Sequence, residues 1–376
     1  MIRNVLISGA GVTGLALAYW LDKAGLSTTL VEQQPEFRRG GQAVDIRGVA
    51  LDVVKAMGLL EDARAIRTLL HGMSMLDANG VEMQRTKERT FSAGRLDSPD
   101  IEIFRDDLCE LLMGALSDRV EFIYGDSIVG LDEEKDQVEV IFSRGNQRRF
   151  DLVIAADGLY SKTRKLWFND ETSVIKSLGI ALALFTTPNF TGLENWQLMH
   201  RENGVGYVIY PSRDKQEVRV SVGFAPGDAT ISRGDVPAQK AMVTSKCAHL
   251  RGAFAQYIEA MQETQAFYYN ELAQISAPRW YKGRVVLAGD AAHCASPLSG
   301  QGTSLGLVGA FVLARELARH PDQPTDAFAA YESRMRPFVI RNQDMVDLNR
   351  QGPTPDELMT SSKNAIDLSD LLQELA

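Results

Sequence analysis

Cysteine is scarce in this 376-residue chain: Cys109, Cys247 and Cys294 stand far apart, with no C-x-x-C pair. An odd, scattered set gives neither a disulfide framework nor a zinc site, so buried free thiols are expected. Long apolar runs are missing too. No window approaches the roughly 20 uninterrupted apolar residues that a membrane span needs. Met1-Ile2-Arg3-Asn4 leads into a stretch broken by Gly9, Gly11 and Gly14, without the basic region and cleavage site of a signal peptide. A cytoplasmic protein with no membrane span is expected. Positive charge is the third shortage: 40 Lys and Arg against 49 Asp and Glu leave a net charge of −9 and a pI near 5.2. Such a surface repels phosphate backbones and anionic lipid, which argues against a nucleic-acid partner and requires local groups to hold any anionic cofactor. No internal repeat or low-complexity tract is apparent.

What is present is ordinary globular composition, 45% hydrophobic and 24% charged, in a chain longer than a single core usually runs. Residues 4–8 read as a buried strand. A glycine turn follows, then a helical pattern (Leu15, Leu17, Ala18, Leu21) that stops at Gly25, then a strand over 28–32. Residues 152–156 and 285–288 read as further strands of the same parallel sheet, each ending in a turn at Asp157-Gly158 or Gly289-Asp290. Other segments alternate instead: 73–85 carries an Asn79-Gly80 hairpin signal, and Val218, Val220 and Val222 alternate with Arg219 and Ser221, as in antiparallel sheet. The expected organisation is a discontinuous cofactor domain (1–72, 98–174, 271–325) interrupted by a second domain (73–97, 175–270), then C-terminal helices (326–376). The pattern predicts a helix from Asp326 to about Arg350, interrupted at Pro337, and a last helix that packs Leu368, Leu371, Leu372 and Leu375 on the body.

Gly9-Ala10-Gly11-Val12-Thr13-Gly14 fits G-x-G-x-x-G, following a strand and opening a helix as a dinucleotide fingerprint must. Gly9 makes the tight turn, Gly11 admits a pyrophosphate, and Gly14 lets the helix lie close to the strand. Val12 and Thr13 open the helix, whose free N–H groups face the phosphates. Glu32, 18 residues past Gly14, suits ribose hydroxyls. These residues alone leave FAD and NAD both open.

Three further segments resemble the fingerprints of the class A flavoprotein monooxygenases, the para-hydroxybenzoate hydroxylase-like family. Residues 152–164, LVIAADGLYSKTR, resemble its D-G motif, with Asp157 at the matching position. Residues 284–302, RVVLAGDAAHCASPLSGQG, resemble its G-D motif and the P-x-x-G-Q-G loop beside the isoalloxazine: Gly289, Asp290, Pro297, Gly300, Gln301 and Gly302, with Thr303 or Ser304 opening the next helix. Thr303-Ser304 stands where the family often carries Asn. A helix start aimed at the flavin edge would stabilise the anion of reduced flavin. His293 and Cys294, as sequence neighbours, cannot share a ligand face, so both are expected to line the cofactor pocket. Arg105 in FRDDLCELL resembles the family's helix-opening arginine beside the flavin. Residues 38–48, RRGGQAVDIRG, resemble the flavin loop of the branch that includes aromatic-polyketide hydroxylases and tetracycline-inactivating monooxygenases. There Asp45 would contact FAD, Arg38 and Arg47 would meet cofactor phosphate or NAD(P)H, and Arg39 is as well placed for solvent. No W-x-W-x-I-P motif of the related halogenases occurs.

The resemblance implies an α/β fold: a three-layer, glutathione reductase-like Rossmann domain for FAD, an inserted antiparallel-sheet substrate domain and C-terminal helices. One fingerprint for two nucleotides implies that NADPH or NADH binds only transiently. It would reduce the flavin, O₂ would add at C4a, and one oxygen atom would pass to an aromatic or polyketide-like small molecule, a tetracycline among the options. No metal is implied. Gln197, Tyr207, Arg213 and Arg219 are the candidate substrate-side groups. A flavin dehydrogenase or reductase without oxygen transfer is the alternative, and a flavin sensor without turnover a third.

Overall fold

The computed structural model describes residues 2–37, 40–168, 174–227, 231–350 and 352–375. A six-stranded sheet gathers segments from both halves of the chain. Its spatial order is Tyr281–Lys282, Val285–Leu287, Leu152–Ala155, Asn4–Ser8, Ser27–Glu32 and Glu121–Tyr124, parallel throughout except for the first edge pair. Strands buried on both faces read as unbroken apolar runs, and alternation sorts their side chains. Val5, Ile7, Leu30, Leu152 and Ile154 face the helices Val12–Lys23 and Gly302–Arg319. Leu6, Val31, Val153 and Val285 face a three-stranded antiparallel sheet of Ile128–Glu134, Gln137–Phe142 and Gln147–Phe150. Helix, parallel sheet and antiparallel sheet are the three layers of the expected fold. Trp20 seals the helix layer against Phe311, ring centroids 4.9 Å apart, and burying each such side chain contributes about 1.5–3 kcal/mol.

A second sheet has seven strands: Phe267–Ile275, Ile175–Pro188, Glu217–Phe224, Val205–Pro211, Gln197–Glu202, Met73–Leu76 and Glu82–Thr86, in that order. All pairs are antiparallel except Gln197–Glu202 on Met73–Leu76. One face carries Ala181, Ala183, Phe185, Val218, Val220, Val222, Tyr207 and Ile209 into a core closed by the helices Val236–Lys246 and Ala253–Met261. The other face turns toward the parallel-sheet layers: Met199, Val208 and Tyr210 pack with Leu70 and Phe104.

The C-terminal part departs from expectation. The helix Pro324–Asp344 runs through Pro337 without interruption and stops at Asp344. Proline removes a single main-chain bond, and Phe328, Tyr331, Met335 and Phe338 anchor the helix on both sides of that point. A helix Asp356–Lys363, unforeseen, follows. The last helix is only Ser369–Gln373; Leu368 and Leu371 are buried, whereas Leu375 is exposed. The three cysteines are buried and unpaired. Among the described residues no helix is long and apolar enough to cross a membrane.

Candidate functional site

Two long helices begin without a cap. Neither Val12–Lys23 nor Gly302–Arg319 has a side-chain cap or an acidic residue in its first turn, although a helix start ordinarily recruits both. Their free N–H groups and positive dipole ends therefore remain available to an anion. The two starts are neighbours: a Cβ on Gly289 would lie 2.4 Å, and one on Gly306 2.5 Å, from Thr13 Oγ1. Thr13 is thus a packing wedge between the helix starts. The second helix begins at Gly302, one residue earlier than expected.

At the first start, Gly9 has φ +104°, and a Cβ there would meet Ala156 O at 2.5 Å; one on Gly14 would meet Gly9 O at 1.9 Å. Only glycine fits either place. Over Gly11 stands the Arg105 guanidinium, 3.9 Å from a Cβ built there. No ion pair or hydrogen bond engages this side chain among the described residues. An unpaired cation above an uncapped helix start is the donor set for a pyrophosphate. Glu32 stands beside this turn, its carboxylate accepting from Ala10 N at 3.0 Å and Gln34 N at 2.9 Å. Asp157 caps the helix Lys162–Phe168 by accepting from Thr163 N and Oγ1 at 3.0 and 2.9 Å, while its Oδ1 is buried without a partner.

The second start is lined differently. Asp290 and Pro297 present exposed side chains although their neighbours Gly289, Ala291 and Ser296 are buried, which marks the wall of a cleft. Surrounding protein raises the Asp290 carboxyl above the ordinary range, while Cys294 and Arg105 draw it back. Gly300 turns the chain in the left-handed region, and Gln301 is fully buried with Oε1 unpaired. Against this turn lies the strand Ala43–Ile46. Asp45 pairs with Arg47 at 2.8 Å, and the Arg47 guanidinium approaches within 3.5 Å of a Cβ built on Gly300. Arg47 also donates to Ser92 O at 3.0 Å, and Ser304 Oγ accepts from Arg47 N at 2.9 Å. The structure thus places Arg47 in the wall beside Gly300, while Arg105 is the arginine over Gly11. Arg38 and Arg39 lie outside the described residues.

The expected substrate groups disperse. Tyr207 stacks on Phe254 at 3.9 Å in the helix-covered core, because strand alternation turns it away from the parallel-sheet layers. Gln197 is buried and spends its amide on Phe91 N and Ser92 Oγ, both at 2.6 Å. Arg219 is held between Thr186 Oγ1 (2.5 Å), Asp106 (3.7 Å) and the Phe104 ring, and Arg213 is an exposed partner of Asp107 at 3.7 Å. His293 does not line the pocket: it packs on Trp280, its Nε2 is 3.3 Å from Tyr331 Oη, and burial lowers its pKa to about 4.

The side of the seven-stranded sheet that Tyr207 avoids has open space at Gly223, near the end of its strand. One cross-strand row runs Asn270, Leu182, Gly223, Gly206; the next runs Tyr268, Leu184, Ser221, Val208. A Cβ on Gly223 would meet nothing within 4 Å, and Tyr268 is exposed at the rim. Tyr210 and Arg219 share this face and tie it to the layer below, Tyr210 Oη accepting from Ala43 N at 3.0 Å. Sequence reasoning missed Tyr268, Gly206 and Gly223; the strand parity of 217–224 pointed to Gly223. It also missed Met359, whose Sδ lies 3.1 Å from Gln301 Nε2 and 3.5 Å from Arg47 Nη1, and no local pattern announces it.

Comparison with known proteins places the chain among flavin-binding proteins. The profile of the FAD binding domain family matches residues 3–346. An uncharacterised protein of Mycobacterium tuberculosis is 43% identical over 371 residues, spanning 98% of this chain and 100% of its own length. A flavin-dependent monooxygenase of Legionella longbeachae is 34% identical over 340 residues, 90% of this chain and 87% of its own. The crystal structure of tetracycline destructase Tet(55) superposes with a TM-score of 0.87 at 31% identity, covering 98% of both chains.

Proposed function

This chain belongs to the FAD binding domain family and is a flavin-dependent monooxygenase; from that premise we propose that it places one oxygen atom from O₂ on an aromatic or polyketide-like small molecule, using NADPH or NADH as a transient reductant. The observation that carries the substrate class is the open sheet face. Gly206 and Gly223 pair near the ends of their strands, where a Cβ on Gly223 would meet nothing within 4 Å, while Leu182, Leu184 and Val208 border the gap. A flat polycycle fits such a floor, and apolar walls exclude water from it. Bound FAD supplies the redox chemistry that activates oxygen.

The chain's own residues bind and orient. Backbone N–H groups of the 9–14 turn and the Arg105 guanidinium hold pyrophosphate, and the Glu32 carboxylate accepts from ribose hydroxyls. Asp157 and Asp290 serve the middle of the cofactor. The positive end of the helix Gly302–Arg319 would favour the anion of the reduced flavin, and Asp45, Arg47, Pro297, Gly300, Gln301 and Ser304 would shape its pocket. Gln197 and Arg219 brace the substrate sheet. The likeness to a tetracycline destructase makes a tetracycline the first substrate to try.

Purified protein should be yellow, and an NADPH-consuming reaction under ¹⁸O₂ should add one labelled atom to product. With a tetracycline the near-ultraviolet absorbance should bleach. Substrate-dependent NADPH use with no label in product would reject oxygen transfer and favour a reductase.

A further inference from the structure

The antiparallel pair Ala43–Ile46 and Ile101–Phe104 sets Asp45 directly opposite Glu102, a cross-strand pairing that is unfavourable when both groups are charged. Three buried or nearly buried carboxylates meet two cations here. Asp45 holds Arg47 at 2.8 Å, and Asp100 holds Lys363 at 2.7 Å. Glu102 is left with hydroxyls: its Oε2 lies 2.5 Å from Thr68 Oγ1, and its buried Oε1 has no hydrogen-bond partner. The charged and titratable groups that face it are Asp45 from its partner strand, Arg47 just past that strand and Tyr210 from the strand Val205–Pro211, with the Ser92 hydroxyl beside them. The cluster therefore carries one carboxylate more than its cations can match. A buried carboxylate without a cation is far costlier than the neutral acid.

We propose that Glu102 is a positioning residue that, while it carries its proton, leaves Arg47 to Asp45 and holds residues 43–48 in the shape that meets the cofactor. The role rests on the flavin reading of residues 43–48 and 300–304. Burial, with the Asp45 carboxyl opposite, pushes the Glu102 pKa up to about 7. Loss of the proton sets a second negative charge against Asp45 and offers Arg47 a competing partner. Arg47 cannot shift without consequence, because its own N–H is tied to Ser304 at the helix start and its guanidinium lies against Gly300. Proton loss at Glu102 thereby loosens the pocket wall.

The test reads the cofactor and the proton separately, on the full chain. FAD affinity is measured by quenching of flavin fluorescence from pH 6 to pH 8.5. The wild-type Kd should rise about threefold or more above pH 7, a modest coupling between proton and ligand, while Glu102→Gln, which mimics the acid, should bind throughout as the wild type does at pH 6. Infrared spectra of the apoprotein should show a carboxylic-acid C=O band that fades through pH 7 and is absent from Glu102→Gln. Should that variant not fold, Thr68→Val removes a hydroxyl that favours the ionised form and should move both transitions to higher pH. A pH-flat wild-type affinity, an unchanged pH dependence in Glu102→Gln, or transitions unmoved in Thr68→Val would overturn the role while leaving FAD binding intact. Folded protein that binds no FAD at any pH would instead remove the flavin reading, and this role with it.

Discussion

The two uncapped helix starts that frame the candidate cofactor site are built from different materials. At residues 9–14 the work is done by backbone: glycines bring the chain close, free N–H groups point outward, and one guanidinium, Arg105, stands over them. At residues 300–304 the wall is built by groups from distant segments: the Asp45 and Arg47 side chains from residues 43–48, the main-chain carbonyl of Ser92, and Met359 from the helix Asp356–Lys363. A site made mainly of backbone answers first to the addition of a Cβ, and beyond that to the one cation above it. A side-chain site answers to pH and to substitutions far away in sequence.

Substitutions can break this contrast or sharpen it. Gly14→Val should act most strongly, because even its Cβ would fall 1.9 Å from Gly9 O. A cost of about 3 kcal/mol or more is expected, seen as colourless protein with a lowered melting temperature. Glu102 should give the next largest effect, as a slope in pH. Its folded pKa of about 7 stands above the ordinary 4.5, so its contribution is fully present below pH 4.5 and is lost as pH rises through 7. The difference is roughly 3 kcal/mol, and urea titrations should show that decline in wild type and not in Glu102→Gln.

Arg105→Met should weaken FAD by about 10- to 100-fold, the magnitude of a charge-assisted contact, in equilibrium dialysis at low salt. If affinity is unchanged, the pyrophosphate does not lie over Gly11. Ser304→Ala removes the acceptor for Arg47 N and should cost about 1 kcal/mol in stability, with the flavin absorbance bands shifted. Arg213→Ala belongs at the bottom, within about 0.5 kcal/mol of wild type and with unaltered KM, because its ion pair with Asp107 is exposed.

The same contrast explains what could be read in advance. The turn at 9–14, the strands around it and the Asp157 and Asp290 turns obey local rules, so their letters carry their geometry. Arg105 was legible because it opens a helix in a recognisable string. Tyr207 and His293 were misplaced for one reason: which face of a segment meets the cleft depends on what packs against the other. Pro337 marked an interruption that the packing of Tyr331 and Phe338 overrides.

From the order of its residues alone, this chain declared a dinucleotide turn, a flavin-type second turn and a sheet of alternating strands, since each depends on neighbours within a few positions. Folding decided the rest. It set Asp45 opposite Glu102, brought Met359 to Gln301 and left Gly206 beside Gly223 on an open floor, because charge balance, burial and empty space arise only where segments far apart in the chain are pressed together.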